Sequence, residues 1–437
     1  MVISKEVLLG DTIENSTVPN RGTPIIEFPG WLANRVERVK LDKTDISRHT
    51  LFVGGTGAGK TNVIYELTRQ LKSKMNISDT MIIFDTKRDF VNLHEKDDFV
   101  ISNYDQEVPS ECGLWNIFME IVADGWSKEA IELNTNEIAE LIFSDAISKS
   151  DDVFFPNAAK DLFAAIVKAI TFIGIEDKQH RIKYMNNNSL RKYLSNVNSE
   201  MLYELLGKFP ELKGVLKYIG DGNSEQALGV FAVMENVTSQ LFRKGFGQDG
   251  RFSVRKFANS RGGKTLFVEY DMACGSSFLP IYRVLFDMFL KEGLSNRKKG
   301  NVYVICDELK LLPHLNHLED ALNFGRSIGV CVVAGIQSME QLYEVYGEYG
   351  GKNIASAFQN TICFHTNNLA TREYISGIHG MNYTAIQHTG ASNNLREEVR
   401  LGHFVEDWDM TGLNVGEAII GIAYEKPFIF KFGRYRS

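Results

Sequence analysis

Residues 54–61 read Gly-Gly-Thr-Gly-Ala-Gly-Lys-Thr, and no other run in the chain limits its fold so sharply. Upstream, His49-Thr50-Leu51-Phe52-Val53 is apolar and β-branched, which suits a buried strand. Downstream, Val63, Ile64, Leu67 and Leu71 recur at helical spacing. Strand, glycine loop and helix, in that order, are what the pattern G-x-x-x-x-G-K-[ST] requires. The residue types follow from the chemistry. Glycines let backbone N–H groups close around phosphate oxygens, and the N-terminus of the following helix adds a favourable dipole. The expected nucleotide-binding residues are therefore Gly54, Gly55, Thr56, Gly57, Ala58, Gly59, Lys60, Thr61 and Asn62. Lys60 is expected to reach the β- and γ-phosphates and Thr61 to hold Mg²⁺. The expected ligands are ATP and Mg²⁺.

The chain has 437 residues, 44% hydrophobic and 24% charged. That is room for two or three domains, or one large domain with insertions, around a sizeable core. Cys112, Cys274, Cys306, Cys331 and Cys363 are scattered without paired spacing, several of them in apolar runs. They read as buried free thiols of a reducing compartment. Cys363-Phe364-His365 reads as strand and not as a zinc site. The N-terminal segment is charged and is no signal peptide. The longest apolar stretch, 162–175, is interrupted by Lys168 and is too short to span a bilayer. The expectation is a soluble, cytoplasmic protein, peripheral at the inner face of the cell membrane only through a partner.

A net charge of −7 argues against nucleic-acid binding over the whole surface. The charge is uneven, however. Residues 177–264 carry 15 Lys+Arg against 8 Asp+Glu, a local excess of +7 that leaves −14 for the rest. Such a stretch is either a DNA-facing surface or a solvated helical face.

Hydrophobic patterning gives the organisation. Residues 1–48 are polar and turn-rich, with a short strand or two near Pro24–Phe28. The glycine-loop strand and helix come next, then a strand at Met81–Phe84 and a helical pattern over 136–146. From about 156 to 252 the chain reads as almost wholly helical, with helices over 157–173, 189–195, 199–208, 213–219 and 224–241. After Gly262-Gly263 the alternation returns: 264–270, 302–306, 330–334 and 361–364 read as buried parallel strands, separated by helices such as 278–294 and 315–327. Residues 417–424 and 428–432 read as an antiparallel hairpin. The simplest fold is α/β, one doubly wound core interrupted by an all-helical insertion. The boundaries are 1–48 for the N-terminal segment, 49–154 and 261–437 for the two parts of the nucleotide-binding domain, and 155–260 for the insertion.

A second motif completes a site. Val302-Tyr303-Val304-Ile305-Cys306-Asp307-Glu308 is an apolar strand ending in two carboxylates, at the edge of a parallel sheet where ligands of open α/β folds bind. Asp307 is expected to orient Mg²⁺, and Glu308 to polarise the attacking water as general base. Gln337 ends the next strand, where it can sense the γ-phosphate or position water. Arg326, on the intervening helix, is either an ordinary surface residue or an arginine finger acting on a neighbour's nucleotide. Asp85-Thr86-Lys87-Arg88-Asp89 after the second strand is open to three readings: a nucleotide contact, an intersubunit ion pair, or a plain N-cap for the next helix.

Together these residues resemble the coupling ATPases of conjugation and type IV secretion, the TraG/TraD-like DNA-transfer family. The resemblance runs from about Arg48 to the C-terminus. It is carried by Asp85-x-Lys87, by Leu114-Trp115-Asn116-Ile117-Phe118-Met119-Glu120-Ile121, and by Phe154-Phe155-Pro156-Asn157-Ala158-Ala159. Most specific is the series Asp307-Glu308-Leu309, Leu312-Pro313, Gly325-Arg326-Ser327-x-Gly329, Gln337-Ser338-x-x-Gln341-Leu342, Tyr346-Gly347, Asn360-Thr361 and Tyr374-Ile375-Ser376. The resemblance implies a RecA-like P-loop core, a homo-hexameric ring, Arg326 as trans finger and Gln337 as sensor. It also implies an all-helical domain that meets DNA and relaxase, relaxosome or secretion-channel proteins. Typical members begin with a transmembrane anchor and this chain begins with none, so either a separate small protein supplies the anchor or this is a soluble relative.

The leading expectation is a DNA-stimulated ATPase that pumps DNA, or a DNA–protein complex, through a hexameric channel in conjugative transfer. Two others stand beside it: a soluble FtsK/HerA-type DNA translocase of chromosome handling or phage defence, and an ATP-dependent cargo receptor without motor activity. DNA-stimulated turnover separates the motors from the receptor.

Overall fold

The structure, a computed structural model, describes residues 2–103, 114–295, 299–389 and 395–435; Cys112 lies outside them. The chain forms two compact units. The first comprises Met1–Asn76, Gly300–Lys310 and Glu319–Ser437, and the second Ile77–Lys299 and Leu311–Leu318.

The first unit carries the glycine loop. Its main sheet runs, in spatial order, Arg35–Leu41, Ile26–Leu32, Phe428–Phe432, Glu417–Gly421, Asn360–Phe364, Thr50–Val53, Val330–Ile336 and Val302–Cys306. The last four strands are parallel, and every residue in them is buried. Strands covered on both faces have no polar side to alternate with, which is why they read as continuous apolar runs. The first four pair antiparallel and extend the sheet at one edge. The expected hairpin is there, ending at Gly421 instead of residue 424. Asn360–Phe364 is the junction, parallel to Thr50–Val53 and antiparallel to Glu417–Gly421. A separate antiparallel sheet of Val2–Leu9, Met381–Thr389 and Leu395–His403 has no counterpart in the hydrophobic patterning.

The second unit holds three parallel strands, Thr80–Asp85, Lys264–Glu269 and Phe99–Ser102, with most of the helices. Phe154–Glu176 is the longest helix, and its middle is buried nearly all round, with 162–167 and 169–172 in unbroken buried runs. It stops where Asp177 leaves the helical region and caps the next helix, Lys178–Tyr184, accepting from the N–H groups of Gln179 and His180. Arg181 reaches back, donating to the carbonyls of Gly174 at 2.8 Å and Ile175 at 3.1 Å, and so satisfies the end of the long helix. Among the described residues no helix is long and apolar enough to cross a membrane.

The Trp115–Glu120 motif is a clasp within this unit. Glu120, fully buried, accepts from Trp115 Nε1 at 2.9 Å and Ser253 Oγ at 2.9 Å, and from the backbone N–H groups of Val254 and Arg255. Burial pushes its carboxyl up, against the pull of those donors. Asn116 donates to the carbonyls of Met185 and Gly250, and Asn187 to those of Trp115 and Phe246. The motif thus ties the segment before the helical block to the segment that closes it.

Of the 15 basic residues in 177–264, ten are exposed: Lys178, Lys183, Lys192, Lys208, Lys213, Lys217, Arg243, Lys244, Arg251 and Lys256. Arg255 and Arg261 are buried. Arg255 pairs with Glu292 and Asp124 and donates to the carbonyl of Glu120. It is a core cation and takes no part in the surface excess that the sequence suggests.

Candidate active site

The glycine loop leaves strand Thr50–Val53 and enters helix Lys60–Lys74. Two glycines are dictated by both conformation and space. Gly54 has φ +148°, and a Cβ there would sit 2.7 Å from that of Phe364; Gly59 has φ +118°, and a Cβ there would lie 3.3 Å from Gly416. The loop is fastened from beneath by hydrogen bonds from Gly54 N to Ile336 O at 3.3 Å, Gly55 N to His365 O at 3.0 Å and Gly416 N to Ala58 O at 3.0 Å.

The helix after the loop begins differently from many others in the chain. Lys128–Ser148, Ser199–Leu206 and Glu225–Leu241 each start under a Ser or Asn side chain that caps their first N–H groups. Helix Lys60–Lys74 starts at Gly59 with no side-chain cap. An added Cβ at Gly57 would meet nothing within 4 Å. An uncapped helix start facing open space fits a phosphate group.

Lys60 lies folded over the loop, its Nζ donating to the carbonyls of Gly54 and, at 3.3 Å, Gly55. Thr61 Oγ1 donates to Asp307 Oδ2 at 2.8 Å. The backbone of Asp307 passes close to the neighbouring strand, since a Cβ at Gly335 would lie 2.2 Å from Asp307 O. Glu308 is half-buried. Its Oε2 accepts from Gln337 Nε2 at 3.0 Å, and its buried Oε1 has no partner among the described residues. Gln337 Oε1 in turn accepts from Thr56 Oγ1 at 3.5 Å. Thr56, Thr61, Asp307, Glu308 and Gln337, spread over 282 residues by number, therefore lie in one hydrogen-bonded patch. A hydroxyl and a carboxylate side by side suit Mg²⁺, and a carboxylate oxygen with no donor suits a water to be deprotonated.

The other expected residues are placed as follows. The Asn62 side chain is taken up by the C-terminal segment, donating to Gly433 O at 2.8 Å and accepting from Tyr435 N at 2.9 Å. Arg326 lies exposed on helix Leu318–Ile328, with no ion pair among the described residues. Its flanking glycines have packing reasons. A Cβ at Gly325 would lie 2.8 Å from that of Val330, and Gly329, at φ +90°, turns the chain into strand Val330–Ile336. In the second unit Asp85 is buried and accepts from the N–H groups of Lys87, Asp89 and Phe90. These bonds close the turn after strand Thr80–Asp85, and the expected N-cap is not made, since the next helix, Val91–Leu93, starts at Phe90 with no side-chain cap. Burial raises the Asp85 carboxyl despite the three donors.

The thiols of Cys331 and Cys363 are buried and pushed up to about 12 by desolvation, and that of Cys306 is raised in the same way. All three are buried free thiols, as the sequence suggests. Cys274 is half-buried, beside Lys244 Nζ at 3.4 Å and Asp271 Oδ2 at 3.4 Å. Gln341, given no role of its own by sequence alone, has its side chain on the backbone of Gln337. Its place in the spacing Gln337-Ser338-x-x-Gln341 is the one signal that points to it.

Compared with known proteins, the chain matches the family described as "Type IV secretion-system coupling protein DNA-binding domain" over residues 34–406. It is 23% identical over 344 residues to the coupling protein TraD of Escherichia coli (strain K12), which is 74% of this chain and 42% of that protein. It is 24% identical over 259 residues to the type IV secretion system-coupling protein VirD4 of Bartonella quintana (strain Toulouse), 55% of this chain and 38% of that one. The chain thus spans less than half the length of these relatives. Among solved structures it is similar to the plasmid coupling protein TrwB in complex with ADP and Mg²⁺, with TM-score 0.68, 20% identity, and 99% of this chain and 94% of that one covered. At that identity the likeness shows the fold: an α/β, RecA-like P-loop core.

Proposed function

We propose the function from one premise: the chain belongs to the type IV secretion-system coupling protein family. On our reading it is an ATPase that drives DNA, or a DNA–protein complex, through a homo-hexameric ring in conjugative transfer. The observation that carries this is the patch in which Thr61 Oγ1 meets Asp307 at 2.8 Å with Glu308 next in sequence. That TrwB was solved with ADP and Mg²⁺ supports the choice of ligands. Mg²⁺ and ATP bound here would supply a Lewis acid and the transferable phosphoryl group. Lys60 and the loop N–H groups hold phosphate oxygens, and Thr61 and Asp307 hold the cation. Glu308 takes the proton of the attacking water at its Oε1, which has no partner among the described residues. Gln337 fixes Glu308 and the loop relative to each other. Arg326, exposed and without an ion pair among the described residues, is the cation offered to a neighbouring subunit's nucleotide. DNA phosphates are gripped by the exposed basic residues of the helical block 155–260, which we take to be a separable insertion that also meets relaxase or channel proteins.

The test is the ATPase rate with and without single- and double-stranded DNA, alongside the mass in solution with and without nucleotide. The expected result is a rate raised by DNA in a species of six copies. A rate indifferent to both DNAs would leave the cargo receptor as the better reading.

A further inference from the structure

Gln337 directly follows strand Val330–Ile336, and its side chain is exposed and held, among the described residues, at its tip by Glu308 at 3.0 Å and Thr56 at 3.5 Å. A side chain held so lightly keeps its aim only if its backbone is fixed. Here the backbone is fixed by another side chain. Gln337 N–H donates to Gln341 Oε1 at 2.8 Å. Gln341 is itself only 8% exposed, and its own N–H donates to Ser338 O at 3.2 Å. The turn is pinned again at Met339, whose N–H donates to Thr371 Oγ1 at 3.0 Å. Helix Glu340–Ala357 begins at Met339 with no side-chain cap. The acceptor that Gln341 could lend to its own helix goes instead to the strand-end residue that touches Glu308.

We propose that Gln341 is a positioning residue of the ATPase reaction, acting through Gln337. Its amide oxygen fixes the peptide from which Gln337 reaches Glu308 and the glycine loop. This rests on the reading of Gln337 and Glu308 given above. A misplacement of about 1 Å at a reacting group can cost up to roughly 10²-fold in rate, so a turn residue without any substrate contact can govern turnover. The plain alternative is a turn stabiliser, whose loss would lower stability and nucleotide affinity together.

Four forms of the chain separate the two: Gln341→Met, which removes the acceptor at similar length; Gln341→Glu, which keeps an acceptor oxygen; Gln337→Ala; and the double variant Gln337→Ala/Gln341→Met. For each, kcat, the affinity for a fluorescent ATP analogue and the melting temperature are measured. The expected results for Gln341→Met are a kcat lower by about tenfold or more, with analogue affinity within about twofold of wild type and little change in melting temperature. Gln341→Glu should recover most of that kcat. The double variant should be no slower than Gln337→Ala alone, because two residues acting as a unit are not additive. Wild-type kcat in Gln341→Met beside a slow Gln337→Ala would overturn the inference and leave the site reading intact. Parallel loss of affinity, stability and rate in Gln341→Met, or additive losses in the double variant, would also overturn it. Wild-type turnover in Gln337→Ala would remove the reading on which it rests.

Discussion

Thr61 Oγ1 donates to Asp307 Oδ2 across 2.8 Å and 246 residues of chain. The first residue follows a glycine loop and the second ends a strand, and each motif alone fits many folds. Their contact joins them into one site. It also predicts how the cation is held. Asp307→Asn keeps the hydrogen-bond acceptor and loses the charge. Its Mg²⁺ requirement for ATP turnover should rise about tenfold or more, while Thr61→Ala should raise it less. An unchanged Mg²⁺ midpoint in Asp307→Asn would move the metal carboxylate to another residue.

Arg326 is exposed on helix Leu318–Ile328 and has no ion pair among the described residues. If it completes a neighbour's site, Arg326→Ala should bind ATP normally and hydrolyse it more slowly by about 10³-fold or more. Mixing it with Lys60→Ala should restore some turnover, because a subunit with intact Lys60 can then receive a finger from its neighbour. No gain on mixing, with a rate linear in protein concentration, would mean that Arg326 acts within its own subunit or not at all.

The basic block separates into surface and core. Neutralising exposed Arg243, Lys244 and Lys256 together should weaken DNA binding and flatten its salt dependence. The log–log slope should fall by up to about 0.9 for each DNA phosphate that is no longer neutralised. An unchanged slope would show that these charges only solvate the surface. Arg255→Ala should act on folding instead, since it strands Glu292 and Asp124. Breaking a buried pair from one side costs about 3–5 kcal/mol, which urea unfolding would read.

His317 sits in the second unit between two carboxylates. Its N–H and Nδ1 both meet Asp287, each at 2.8 Å, and its Nε2 lies 3.5 Å from Glu137, which also pairs with Lys291. Burial alone would lower the imidazole. The hydrogen bond to Asp287 and the two negative charges outweigh burial and nearby Lys291, and raise it above the ordinary 6.5. With the folded value raised, the stability this group contributes is complete below about pH 6.5 and lost as pH climbs through the folded value. The stability gap between wild type and His317→Gln, from urea unfolding, should therefore be wider at about pH 6 than at about pH 8.5. A gap that is equal or wider at the higher pH would contradict the assignment.

What the sequence shows of this fold depends on how locally each signal is written. The glycine loop, the Asp307-Glu308 strand and the long helix over Phe154–Glu176 are each encoded within two dozen residues, and each is found where expected. The sheet of Val2–Leu9, Met381–Thr389 and Leu395–His403 is not encoded that way. Its first strand pairs with residues more than 370 positions away, and the apolar side chains of Leu9, Tyr383 and Leu401 are about half exposed or more. A strand whose apolar residues face solvent has no burial period to read. The same limit explains Arg255. Nothing near it in sequence announces Glu292 or Asp124, so it counts as surface charge until the fold places it inside. Asn62 is similar: its partners at 433 and 435 are at the far end of the chain.

Glu308 gives the most direct test of the whole account. Its Oε2 is held by Gln337 at 3.0 Å, and its buried Oε1 is without a donor among the described residues. Glu308→Gln preserves size and hydrogen bonding and removes only the base. ATP binding and single-turnover hydrolysis should be measured on the same preparation. We expect ATP affinity within about twofold of wild type and hydrolysis slower by about 10²-fold or more. Wild-type hydrolysis in Glu308→Gln would contradict the account, because the water would then be activated elsewhere and the patch around Asp307 would not be the centre of an ATPase.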